Sequence, residues 1–245
     1  MTEQARRPII ADPRRARGTF RSRTLGLTAL VASLGLVALG VPQAINALHM
    51  AAGEPLLLRL IYAEPRDQAL AGLARHHFAI AAAWFDNPSA HLGEAQLALN
   101  AARQSDFGGP EGLRALDQGI GALGQALRLA PGEPRAWALL AQLRYLRDPE
   151  DAAVPTILAR AIAAAPGDQR FIRLRVDIGL RVWDLADDKA RQAIAHDARL
   201  LAQADAPGFV SLVRNGASIA AARDALADDP ALRQRVEALY LQSPQ

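Results

Sequence analysis

Apolar residues follow three different rhythms along this chain, and the first is no rhythm at all. From Thr24 to Leu48 the sequence TLGLTALVASLGLVALGVPQAINAL is apolar on every side, and from Thr24 to Gly53 His49 is the one residue with an ionisable side chain. A helix rising ~1.5 Å per residue needs about 20 residues to cross the hydrocarbon of a bilayer, so residues 24–48 are long enough to span it. A buried core helix would instead show one apolar stripe. After a short segment punctuated by Pro55 and Pro65, read as a linker over 49–66, the pattern changes to apolar positions three and four residues apart. Helices are predicted over 67–85, 89–104, 110–130, 134–147, 151–164, 168–183, 187–204, 207–225 with a break near Gly216, and 229–241. Ser89 and Asp229 stand at cap positions, Pro110 and Pro134 at first-turn positions. No run alternates with period two for long enough to make a strand, so the chain is read as all-α.

The third rhythm is an internal repeat. Ala126–Trp137 lines up on Ala161–Ile172 with a constant shift of 35 residues, matching Leu123 with Leu158, Ala126 with Ala161, Pro131 with Pro166, Gly132 with Gly167 and Glu133 with Asp168. Small residues on one helix, a proline at its end, and Trp137, Leu140 and Ala141 on the next resemble the tetratricopeptide repeat, whose period is close to 34. Tyr145 falls one residue later than that pattern's aromatic. The resemblance is clear over 119–183 and faint elsewhere. It implies a degenerate α-solenoid over 67–245 in which alanines allow close helix approach, Trp137 and Leu140 fill grooves, and irregular terminal helices act as caps. Helix 168–183 should turn Ile172, Val176, Gly179, Leu180 and Trp183 to the core. Arg173, Asp177 and Arg181, four residues apart, form a ladder on another face.

Charge changes the picture only at the start. Residues 1–23 carry seven arginines (Arg6, Arg7, Arg14, Arg15, Arg17, Arg21, Arg23) against Glu3 and Asp12, a net +5, whereas the whole chain is only +3. The domain is therefore nearly neutral, and a nucleic-acid partner, which would require a basic face on it, is not expected. The same arginines, with no further one until Arg59, place residues 1–23 in the cytoplasm as a basic tail and the domain on the far side of the membrane. A cleaved signal peptide is the alternative. Its small-residue site would be poorly placed because Pro42 and Ile45 spoil Ala44 and Ala47. A twin-arginine export signal at Arg14-Arg15 fits its following residues badly. The chain has no cysteine, so disulfides and thiolate metal sites are excluded.

Candidate chemistry is sparse. His76 and His77 point about 100° apart on a helix and do not readily share a metal. His91 and Glu94 lie on the next helix, and His49 and His196 are isolated in the sequence. Without metal-ligand spacing these read as partly buried polar residues, with no metal and no cofactor expected. Acid pairs Asp187-Asp188 and Asp228-Asp229 suit helix starts. Trp84-Phe85 reads as core or helix-contact residues. With no nucleophile, phosphate-loop or dinucleotide motif, the expectation is a noncatalytic, single-pass scaffold of the bacterial inner membrane that binds protein partners in the periplasm. Arg170, Arg173, Arg175 and Arg181 are the candidate partner-binding residues. The alternative reading is a direct binder of an acidic polysaccharide through those arginines. The combination of basic tail, one span and degenerate repeats, with the stretches Arg170–Trp183 and Asp224–Pro230, is similar to small tetratricopeptide-type proteins found with bacterial machinery for exopolysaccharide or O-antigen production. That similarity implies assistance to polysaccharide synthesis or export.

Overall fold

The computed structural model describes residues 13–62 and 66–242, with the side chains of 13–26 left out. The tail arginines therefore lie outside the described side chains, and Pro65 lies outside the described residues. Among the described residues the chain is helical, with no strand. It divides into two compact units, Met1–Ile45 and Asn46–Gln245.

Helix α1 runs Pro13–Tyr62. Over its described side chains, Leu27–Tyr62, it is long and apolar enough to cross a membrane, and none of its most apolar 18-residue window is buried. The leucines and valines from Leu27 to Val41 are 44–73% exposed. Such a surface is at odds with water and suited to lipid.

Beyond Ile45 the same helix behaves differently. Asn46, Met50, Gly53, Leu57 and Leu60 are buried at alternating spacings of four and three, which makes one stripe along the helix. The expected linker over 49–66 is thus helical as far as Tyr62. Pro42 and Pro55 are both inside the helix, each removing one donor from its ladder. Burial of the stripe offsets that cost, since each large apolar side chain removed from water contributes about 1.5–3 kcal/mol.

Among the described residues ten further helices follow: α2 Gln68–Trp84, α3 Pro88–Gln104, α4 Pro110–Leu129, α5 Pro134–Arg147, α6 Val154–Ala164, α7 Gln169–Arg181, α8 Asp188–Ala204, α9 Ala206–Arg214, α10 Ile219–Ala225 and α11 Pro230–Gln242, with a 3₁₀ turn at Trp183–Leu185. Their starts are chemically marked. The side chains of Asp67, Glu133, Asp168, Asp187, Asp205 and Ser218 accept from backbone N–H groups of the first turn. Asp229 does the same for Leu232 N–H at 3.0 Å. The cap of α3 is Asn87, not the expected Ser89, whose N–H it binds at 2.9 Å; Pro88 takes the first helical position.

The contacts between helices sort them into two layers. The Asn46–Tyr62 half of α1 lies against α2, with Met50, Leu57 and Leu60 meeting Ala74, Phe78 and Ala81. Thereafter α3 packs on α4, α5 on α6, α7 on α8 and α8 on both α9 and α10. First-layer helices also touch in succession, α3 on α5, α5 on α7 and α7 on α9, while α6 and α10 both touch α8 in the second layer. Three glycines permit close approaches between helices. A Cβ on Gly93 would stand 2.6 Å from the Phe78 ring, on Gly119 2.6 Å from Leu143, and on Gly179 2.7 Å from Ile194.

The 35-residue repeat has a geometric counterpart. α4 ends in Ala130 (φ −136°, ψ 79°) and α6 in Ala165 (φ −148°, ψ 81°), and the caps that follow, Glu133 and Asp168, each accept from the N–H two residues on. Leu123, Ala126, Leu140, Ala141, Leu158 and Ala161 are all buried, and Pro131 and Pro166 sit just past the two helix ends. Trp137 is half-buried. Its indole N–H donates to Pro131 O at 2.8 Å under the Arg160 guanidinium, 5.1 Å from the ring centre.

Candidate functional site

Three of the four α7 arginines named from the sequence tie α7 to its neighbours. Arg173 pairs with Asp205 at 3.0 Å, the same carboxylate that caps α9. Arg181 reaches Asp177 at 3.0 Å and donates to Asn215 O at 2.8 Å, beside Gly216, whose φ of +113° requires glycine. The expected ladder therefore closes only between Arg181 and Asp177, because Arg173 turns to α9.

Arg175 is the clearest correction. Its side chain and that of Asp197 are both 0% exposed, with Nε and Oδ2 2.7 Å apart, and Nη1 donates to Ala165 O at 3.2 Å. Burial pushes the Asp197 carboxyl upward while the Arg175 charge opposes it. A partner cannot reach Arg175. Arg170 is the most exposed of the four at 79%, paired with Asp168 at 2.8 Å, while Arg173 is 53% exposed. The hydrogen bonds from Arg170 hold the Asp168 carboxyl at about 2. The four arginines do not converge on one groove.

A groove that sequence reasoning missed opens in the first layer. It has a volume of about 290 Å³, a floor of Met50, Leu57, Ile61, Phe78 and Leu92, and opposite charges at Glu54 and Arg135. Leu58 and Tyr62, 54% and 82% exposed, stand at its rim. Gln96 also lines it, and its Oε1 is buried with no partner among the described residues. An apolar floor between an acid and a base, with a polar acceptor left over, suits an amphipathic segment better than a compact charged ligand. The missed signal was the Asn46–Leu60 stripe, which places Glu54, Leu58 and Tyr62 on a docked helix instead of a linker. A second concavity of about 410 Å³ lies across α2, α3 and α4, lined by Gln68, Arg75, Asn100, Gln104, Ser105 and Glu111 together with Ala71, Leu97 and Ala115.

Beside the groove the histidines gather. His49 is not isolated: its Nδ1 lies 2.9 Å from Nδ1 of His77, and the His76 and His77 rings are 6.0 Å apart. Among the described residues no three metal-binding side chains form a cage. His91 bonds Asp86 at 2.8 Å and Glu94 at 3.3 Å instead. A bond between two Nδ1 atoms needs one N–H and one lone pair, so a doubly protonated pair cannot keep it.

Burial, then His49 and His76, hold His77 below the ordinary histidine value of 6.5. The folded chain therefore binds this proton less readily than the unfolded chain. Stability from the neutral form is complete above pH 6.5 and declines as pH falls through 6.5 towards the lower folded value. Hydrogen exchange of α2 amides in the detergent-solubilised chain, corrected for intrinsic rates, should speed up between pH 7.5 and 5.5, and His77→Gln should flatten that response.

In comparisons with known proteins, no family, no curated protein and no solved structure matches this chain.

Proposed function

We propose that this chain is a noncatalytic, membrane-tethered adaptor that holds a partner protein against the first-layer groove. The observation that carries the reading is the exposed apolar surface of α1 from Leu27 onward, followed without a break by a docked helix that forms one wall of the groove. The seven arginines before that surface favour an N-terminus in the cytoplasm and a domain in the periplasm of a bacterial inner membrane. The 35-residue repeat and the layered helix pairs support a tetratricopeptide-like array, whose first-helix face is the side that receives peptides and helices. Tethering raises the effective concentration of partners in the same membrane, so a modest groove suffices. Participation in polysaccharide synthesis or export is the assignment that the sequence resemblance favours.

Direct capture of an acidic polysaccharide is the weaker reading, since Arg175 is sealed and Arg173 and Arg181 are spent within the chain. Photocrosslinking in native membranes separates the two. A photoreactive residue at Leu58 or Tyr62 should give a protein adduct, while one at Gln104 or Gly72, on the concavity of α2–α4, should give little. Adducts from Gln104 with none from Leu58 or Tyr62 would move the site to the concavity of α2–α4 and overturn this assignment.

A further inference from the structure

Trp84 and Phe85, expected as core or helix-contact residues, are 50% and 44% exposed at the end of α2. Burial does not hold them in place; a polar clamp does. The Asn46 carboxamide, 5% exposed, donates to Ala81 O at 2.8 Å and to Phe85 O at 3.1 Å. Its Oδ1 accepts from Asn87 Nδ2 at 3.0 Å, and Asn87 in turn caps α3. The Phe85 N–H also returns to Ala81 O at 3.1 Å. The turn bearing the aromatic pair is thus bolted to Asn46 from both sides.

The position of Asn46 in the chain gives this clamp its meaning. About 20 residues at ~1.5 Å each cover the hydrocarbon thickness, and counting from Thr24, the first residue after the tail arginines, that length ends at Gln43, one turn before Asn46. Whatever Asn46 grips is held at the depth where lipid tails give way to headgroups. Tryptophan and phenylalanine are suited to that zone, and tryptophan especially so, because its ring is apolar and its N–H seeks a polar partner. The Trp84 indole N–H has no partner among the described residues. Leu48, 68% exposed in the same turn as Asn46, adds apolar surface, and the neighbouring Asp86 carboxylate is engaged by His91 at 2.8 Å.

We propose that Trp84 and Phe85 are an interfacial anchor that inserts into the headgroup zone of the bilayer crossed by α1, fixing the depth of the domain through Asn46. The inference rests on the reading of α1 as a membrane span.

The test uses the full chain in liposomes. Subtracting the emission of Trp84→Phe from that of the wild type isolates Trp84 while Trp137 and Trp183 stay in place. Trp84 should lose most of its emission to lipids carrying a nitroxide at the headgroup and be shielded from aqueous iodide. If the chain floats with the liposomes but Trp84 stays open to iodide and untouched by the nitroxide, the anchor is wrong and the span stands. If the chain does not float with the liposomes at all, the span reading fails, and the anchor fails with it.

Discussion

Replacing Asp197 with alanine should lower the unfolding free energy by about 3–5 kcal/mol, one of the largest effects of any single substitution in the chain. The reason is the company Arg175 would be left in. Both side chains are 0% exposed, so truncation leaves a guanidinium in the interior with only Ala165 O for a partner. Removing both charges is another matter. Arg175 Nη2 and Asp197 Oδ1 have no partner among the described residues, so the pair is desolvated without being fully satisfied. Arg175→Met with Asp197→Leu should therefore be close to neutral, or even stabilising, as well-packed apolar replacements of buried pairs often are. Chemical denaturation followed by the emission of Trp183, which belongs to the same apolar cluster, would measure all three variants. A loss below about 1 kcal/mol in the Asp197→Ala chain would mean that the pair is solvated, as surface pairs are.

That pair also marks the limit of what spacing reveals. On α7 the positions Ile172, Val176, Gly179 and Leu180 were assigned to the core from their periodicity, and all are buried. Arg175 stands three residues after Ile172 and four before Gly179, on the same face, and Asp197 stands in the equivalent place between Ile194 and Leu201. The inward position of each charge was legible once the stripe was drawn. Their meeting was not, because it depends on how the Arg181–Asp188 turn folds one helix back on the next. Arg173 and Arg181 were likewise legible as exposed but not as ties to α9, since Asp205 and Asn215 lie more than 30 residues further on.

Helix existence was almost wholly readable, because caps and prolines mark the boundaries from α2 to α11. The exception lay between His49 and Tyr62. Gly53, Pro55 and Pro65 are local signals for a break, and they outweighed a stripe that repeats over four turns. Tertiary burial overrode them, as it commonly overrides local preference. The groove was lost to the sequence with that segment, since its floor is made from α1.

Phe78→Ala is expected to cost about 3–5 kcal/mol and to detach that segment selectively. Phe78 is 0% exposed, and its ring fills the space between two glycines on different helices: a Cβ on Gly53 would come within 3.2 Å of it and one on Gly93 within 2.6 Å. Neither glycine has a side chain to close the void, so the cavity persists where a leucine-lined site would partly collapse. Amides of α2 should lose protection from hydrogen exchange while α5–α11, with their own apolar clusters, keep theirs. Gly93→Val alone should cost about 1–3 kcal/mol by overpacking the ring. In the Phe78→Ala background the added side chain enters vacated space, so the double variant should be more stable than the sum of the two losses predicts. Strict additivity would show that Gly93 and Phe78 do not share one cavity. Phe78 also lines the first-layer groove, so if that groove is the docking surface, crosslinks from Leu58 should weaken in the Phe78→Ala chain.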